Sequence, residues 1–157
     1  MRYFEKVSFE EFEKSTGLTH EDYDKYKLPK RGTINSAGYD FECLTDFTIK
    51  KGEVVKIPTG IKANMNIGEV LLIFIRSSLG CKFNLRLCNQ VGVIDGDYYN
   101  NPDNEGHIFI CIKNEGVEDK FFKQGDKFAQ GMFTTFLTVD NEEDITNKRT
   151  GGFGSTN

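Results

Sequence analysis

From Phe41 onward the chain is a succession of short β-type runs, each bounded by Gly, Pro, Asn or Asp, and that spacing leaves few folds open. The runs are Phe47 to Ile49, Glu53 to Ile57, Glu69 to Arg76, Leu85 to Val93, His107 to Lys113 and Lys127 to Val139. Breakers such as Lys51-Gly52, Pro58-Thr59-Gly60 and Gln124-Gly125-Asp126 stand between them. Together they predict an all-β sandwich or barrel. Ile108, Ile110 and Ile112 alternate with Phe109 and Cys111, so this run suits a strand covered on both faces. Phe, Ile, Leu and Val account for 43 of the 157 residues, enough for a real core. A chain of this length buries roughly two-thirds of its unfolded surface in one domain, and no repeat or linker divides it.

The ends read differently. Residues 1–27 are acidic and aromatic. Ser8 with Glu11 has capping-box spacing and predicts a short helix over Ser8 to Lys14, and Thr19 with Asp22 predicts a second. This segment is expected to be a helical arm packing on the β core of residues 28–146. Residues 147–157, with Gly151, Gly152 and Gly154 in four positions, are expected to be a mobile tail with the backbone donors, hydroxyls, cations and aromatic ring of a lid over a base and phosphates.

Charge and cysteine content exclude several classes. A net charge of −4 and a pI near 5.3 oppose a general grip on nucleic acid, which needs a basic surface. The longest apolar run, Val70 to Ile75, is too short for a bilayer and no leader pattern follows Met1, so a soluble, cytoplasmic protein with no membrane partner is expected. Cys43, Cys81, Cys88 and Cys111 form no C-x-x-C pair, and His20 and His107 complete no zinc set; they read as reduced, mostly structural thiols.

The stretch Asn89 to Tyr98 carries the densest chemistry. Gly92 between Val91 and Val93 would let a ligand approach the backbone. Asp95-Gly96 has the composition of a type I′ hairpin turn, most of which are solvated and carry no chemistry. Four other segments bear on it: Ala37-Gly38-Tyr39-Asp40, Arg76-Ser77-Ser78-Leu79-Gly80, Gly125-Asp126-Lys127-Phe128-Ala129-Gln130, and Gly151-Gly152-Phe153-Gly154-Ser155-Thr156. In this order and at these intervals, the five segments resemble the five motifs of the trimeric deoxyuridine triphosphatases over residues 28–157. Each segment alone is common; Gly92-Val93-Ile94-Asp95-Gly96-Asp97-Tyr98 and the Gly-rich tail in sequence are specific.

The resemblance implies a jelly-roll β-sandwich and a homotrimer with shared sites. The implied reaction is Mg²⁺-dependent hydrolysis of dUTP to dUMP and pyrophosphate, which limits uracil in DNA and supplies dUMP for dTMP synthesis. It makes Asp95 the base for the attacking water. Asn89, Gly92 and the backbone of Phe109 would hold uracil, Tyr98 the deoxyribose, and Phe153 would stack over the base. Arg76, Ser77, Ser78, Gln130, Arg149, Ser155 and Thr156 would meet phosphates, and Asp40 the waters of a metal held mainly by the substrate.

The chain departs from the pattern at an insertion, Tyr99 to Glu105, and in the tail, where Lys148 holds the register of the family's arginine and Arg149 is displaced by one; Arg149 is favoured for the γ-phosphate because its planar fork matches phosphate, with Lys148 as the alternative. Two alternatives carry less: a dCTP deaminase of the same fold, for which only Glu105 is available as the assisting glutamate, and a nucleotide-switched regulatory module.

Overall fold

The computed structural model describes residues 1–154. Twelve strands and three short helices are set out in it. The strands are β1 (Tyr3–Lys6), β2 (Lys30–Arg31), β3 (Tyr39–Glu42), β4 (Phe47–Ile49), β5 (Val54–Pro58), β6 (Ile61–Asn64), β7 (Glu69–Ile75), β8 (Leu85–Leu87), β9 (Gly92–Ile94), β10 (Phe109–Asn114), β11 (Lys120–Phe122) and β12 (Lys127–Thr135). The helices are α1 (Phe9–Thr16), α2 (His20–Lys25) and α3 (Ser77–Phe83). Among the described residues the strands pair antiparallel throughout, in sheets ordered β2-β3-β12-β7-β9, β5-β10-β8, β1-β6 and β4-β11. This is the expected all-β, jelly-roll-like sandwich.

Local chemistry explains several boundaries. Ser8 caps α1 by accepting from the Glu11 N–H, and Gly17 ends it in the left-handed region at φ 69°. Thr19 and Asp22 complete a capping box at α2. In β10 burial alternates strictly, with Ile110, Ile112 and Asn114 inward; the buried Asn114 amide donates to the Ile49 and Glu118 carbonyls, both at 2.9 Å, so no donor is orphaned.

Three expectations are corrected. Leu85 to Val93 is two strands rather than one, because the chain turns between β8 and β9 with Gln90 at φ 64°. Lys127 to Val139 stops pairing at Thr135, and Phe136 instead donates its N–H to Gly68. The N-terminal segment holds both helices but also β1, which pairs with β6, and its Val7 and Phe12 are fully buried in the common core with Phe41, Phe122 and Phe128. Among the described residues no helix is long and apolar enough to cross a membrane.

Candidate active site

A pocket of about 470 Å³ opens between the β8–β9 turn, β10 and the tail. Asn89, Gly92, Asp95, Tyr98, Phe109, Arg149 and Phe153 all line it. These residues come from three separated stretches of sequence, and the fold brings them to one place.

The hairpin expected at Asp95-Gly96 is not a type I′ turn. Asp95 is extended, at φ −77° and ψ 155°, and caps a 3₁₀ turn over Gly96–Tyr98, closed by the Tyr98 N–H donating to the Asp95 carbonyl at 3.1 Å. That geometry sends the Asp95 carboxylate to the pocket mouth, 51% exposed, while dropping the Tyr98 ring into the floor, 7% exposed. The Tyr98 hydroxyl donates to the His107 carbonyl at 2.6 Å and accepts from the Asn104 amide at 2.9 Å. Burial raises its pKa above the ordinary tyrosine value, so it remains a neutral donor.

Gly92 lines the pocket and serves sheet packing as well. A Cβ there would stand 3.0 Å from Ile73 Cβ, so the missing side chain lets β9 lie against β7, and Gly92 offers the pocket only backbone.

The tail lies over this pocket. Arg149 donates through Nη2 to Asp95 Oδ2 at 2.5 Å and through Nε to Asp97 Oδ1 at 2.8 Å. A Cβ on Gly152 would meet Tyr98 Cε2 at 2.9 Å, so the glycine permits the backbone to rest on the tyrosine ring. Phe153 meets Phe109 edge to face, centroids 6.3 Å apart, and Lys56 Nζ stands 4.4 Å and 4.3 Å from those two rings. Ser155 and Thr156 lie outside the described residues.

The other expected group assembles elsewhere. Asp40 on β3 and Gln130 on β12 are register partners, and Gln130 in turn faces Phe74 on β7. Asp40 forms ion pairs with Arg76, Nε to Oδ1 at 3.3 Å, and with Lys127, Nζ to Oδ2 at 3.2 Å. Ser77 and Ser78 are exposed in the first turn of α3. None of these residues lines the pocket. Leu71 on β7 pairs with Ile94, the neighbour of Asp95, and Arg76 lies five residues further along from Leu71, roughly 17 Å at strand rise. Arg149 is thus held beside Asp95, not beside this cluster.

Several residues at the pocket had no sequence signal. Cys88 and Cys111 line it as neighbours joined by a backbone hydrogen bond, the Cys88 N–H donating to the Cys111 carbonyl at 2.9 Å, so two of the four free thiols stand at the pocket. The inserted loop is internally bonded through buried Asn101, whose amide donates to the Tyr98 carbonyl and to Asn104 Oδ1, both at 2.8 Å. Glu105, the glutamate the deaminase alternative requires, accepts from Ser8 and from Lys62 and does not line the pocket.

A sequence profile described as dUTPase matches residues 24–157. The chain is 49% identical over 138 residues to the deoxyuridine 5'-triphosphate nucleotidohydrolase of Lactococcus lactis, covering 84% of this chain and 92% of that one. Its structure resembles the crystal structure of the Streptococcus mutans dUTPase with a TM-score of 0.71 at 45% identity, covering 88% and 98% of the two chains. A dUTPase from phage phi11 of S. aureus shares the fold at a TM-score of 0.68 and 18% identity, over 94% and 97%. With the pocket hairpin, the Asp40 cluster and the tail all inside the matched span, the chain belongs to the dUTPase family.

Proposed function

We propose that this member of a family that hydrolyses dUTP releases dUMP and pyrophosphate by attack of a water, oriented and deprotonated by Asp95, on the α-phosphorus. The observation that carries this reading is the convergence of Asn89, Asp95, Tyr98, Phe109 and Phe153 on one pocket. Asn89 and the Gly92 backbone supply polar groups for the uracil edge, and the Tyr98 ring supports the deoxyribose. Phe153 closes over the base, a stacking contact of about 1–3 kcal/mol. Arg149 meets the γ-phosphate by exchanging its two carboxylate partners for phosphate oxygens, which suit the same planar fork.

The phosphate-binding Arg76, Ser77, Ser78 and Gln130 act from a second copy. Their distance along β7 from Asp95 supports a homotrimer in which one chain gives the base and water side of a site and its neighbour the phosphate side.

The residues present fit a Mg²⁺ ion delivered with the triphosphate. Among the described residues no group of three His, Cys, Asp or Glu could hold a metal by itself, and Asp40, beside Arg76 and Lys127, would hold the ion's waters. When bound, the ion supplies charge neutralisation on the phosphate oxygens. The phi11 protein is described with a structural Mg(II) ion.

Pyrophosphate release measured over dUTP, dTTP, UTP and dCTP tests the reading. Release from dUTP with Mg²⁺, and little from the others, is expected. Absence of release from dUTP would overturn it.

A further inference from the structure

The insertion Tyr99 to Glu105 ties the N-terminal helix to the floor of the pocket. Asn104 donates its amide to the Tyr98 hydroxyl at 2.9 Å and accepts, through Oδ1, from Asn101 at 2.8 Å and from the Gly106 N–H at 3.1 Å. On the other side of the ring, the Tyr98 hydroxyl donates to the carbonyl of His107. His107 is fully buried. Its Nε2 accepts from the Gly60 N–H at 2.8 Å, so the proton is on Nδ1, which donates to Glu11 Oε1 of α1 at 3.1 Å. The Glu11 carboxylate is itself 6% exposed at the residue level and also accepts from Ser15 Oγ. Next in the loop, Glu105 is gripped by Ser8 at the start of α1 and by Lys62. The tyrosine hydroxyl is therefore fixed from two sides, by the loop directly and by the His107 carbonyl, whose residue α1 holds by its imidazole.

We propose that the inserted loop and α1 set sugar selection in this chain, with Asn104, His107 and Glu11 acting as positioning residues for Tyr98. The inference rests on the reading of Tyr98 as the residue under the deoxyribose. A ring pinned at its hydroxyl presents one fixed surface to the 2′ position; a ring free to tilt admits a 2′-hydroxyl. Rejection of a ribonucleotide then depends on residues that never touch it.

The test is the ratio of kcat/KM for dUTP to that for UTP, with kcat and KM for dUTP reported separately. Asn104→Asp is the decisive variant, because it keeps the Oδ1 acceptor that closes the loop and removes the donor to Tyr98, whose hydroxyl can then bond the loop only by giving up the His107 carbonyl. It is expected to lower the ratio by about 5-fold or more, the reach of one lost neutral hydrogen bond, chiefly by improving use of UTP. Glu11→Ala should lower the ratio and Glu11→Gln, which retains an acceptor oxygen for His107, should restore it. Tyr98→Leu separates the two layers. If Tyr98→Leu collapses the ratio while Asn104→Asp leaves it unchanged, the loop proposal is wrong and the sugar role of Tyr98 stands. If Tyr98→Leu leaves the ratio unchanged, the sugar role falls and the proposal with it.

Discussion

Asp95 is half-exposed at the pocket mouth with its backbone extended, and the only group the described residues place on its carboxylate is the guanidinium of Arg149. Asp95→Asn keeps the shape of that group and removes its basicity. It is expected to lower kcat for dUTP by about 10²-fold or more while an equilibrium titration still shows nucleotide binding; unchanged turnover would remove Asp95 from its role. Gly92 makes a contrasting prediction. A methyl there meets Ile73 at 3.0 Å inside the sheet, so Gly92→Ala should cost about 1–3 kcal/mol by overpacking, seen as a lower midpoint in thermal unfolding. At this scale Asp95 and Phe153 were legible only through the order of the five segments, since an Asp-Gly pair or a tail phenylalanine alone carries no signal. The sequence was silent on Glu11, Asn104 and His107, since Glu11 and His107 meet across 96 residues and no local spacing announces such a pair.

The hairpin, the insertion and the tail are elements whose behaviour follows from what anchors them. The turn type at Asp95-Gly96 was misread because Asp-Gly composition suits more than one turn, and the choice was made by tertiary demand: a 3₁₀ turn is what places Tyr98 inward between His107 and Asn104. The strand runs read from alternation and breakers were largely found, whereas β1 was missed because Tyr3 to Lys6 gains its partner only from β6, some sixty residues away. The insertion's anchor predicts a pH effect. Burial holds the His107 pKa below its ordinary 6.5, despite the opposing effect of the hydrogen bond it donates to Glu11. The unfolded chain therefore takes up a proton at His107 that the native fold refuses, so this contribution to stability is complete above about pH 6.5 and is lost as pH falls below it. Thermal midpoints measured from pH 7 to pH 5 should fall, and the slope should flatten in His107→Gln; an equal slope in both proteins would contradict the neutral, buried imidazole. The tail gives a further outcome. Phe153→Ala should raise KM for dUTP by roughly 5-fold or more, the lower end of base stacking, with a smaller change in kcat.

Across the whole molecule, the two groups of expected site residues are separate bodies of chemistry on one chain. Asp95, Tyr98 and Phe109 surround the pocket, and Arg76, Asp40 and Gln130 cluster near the other end of β7. Sequence order alone gave both groups but no way to see that they part company, since the spacing of motifs does not encode symmetry. On the division of labour proposed above, a complete site is a property of the assembly. Mixing two crippled chains tests this most directly. Asp95→Asn and Arg76→Ala should each be nearly inactive alone, and trimers re-formed from an equal mixture should regain about a quarter of wild-type dUTP hydrolysis, because random assembly pairs an intact Asp95 side with an intact Arg76 side in about one site in four. Mixed trimers, verified by mass, that remain as inactive as either parent would contradict a site divided between copies.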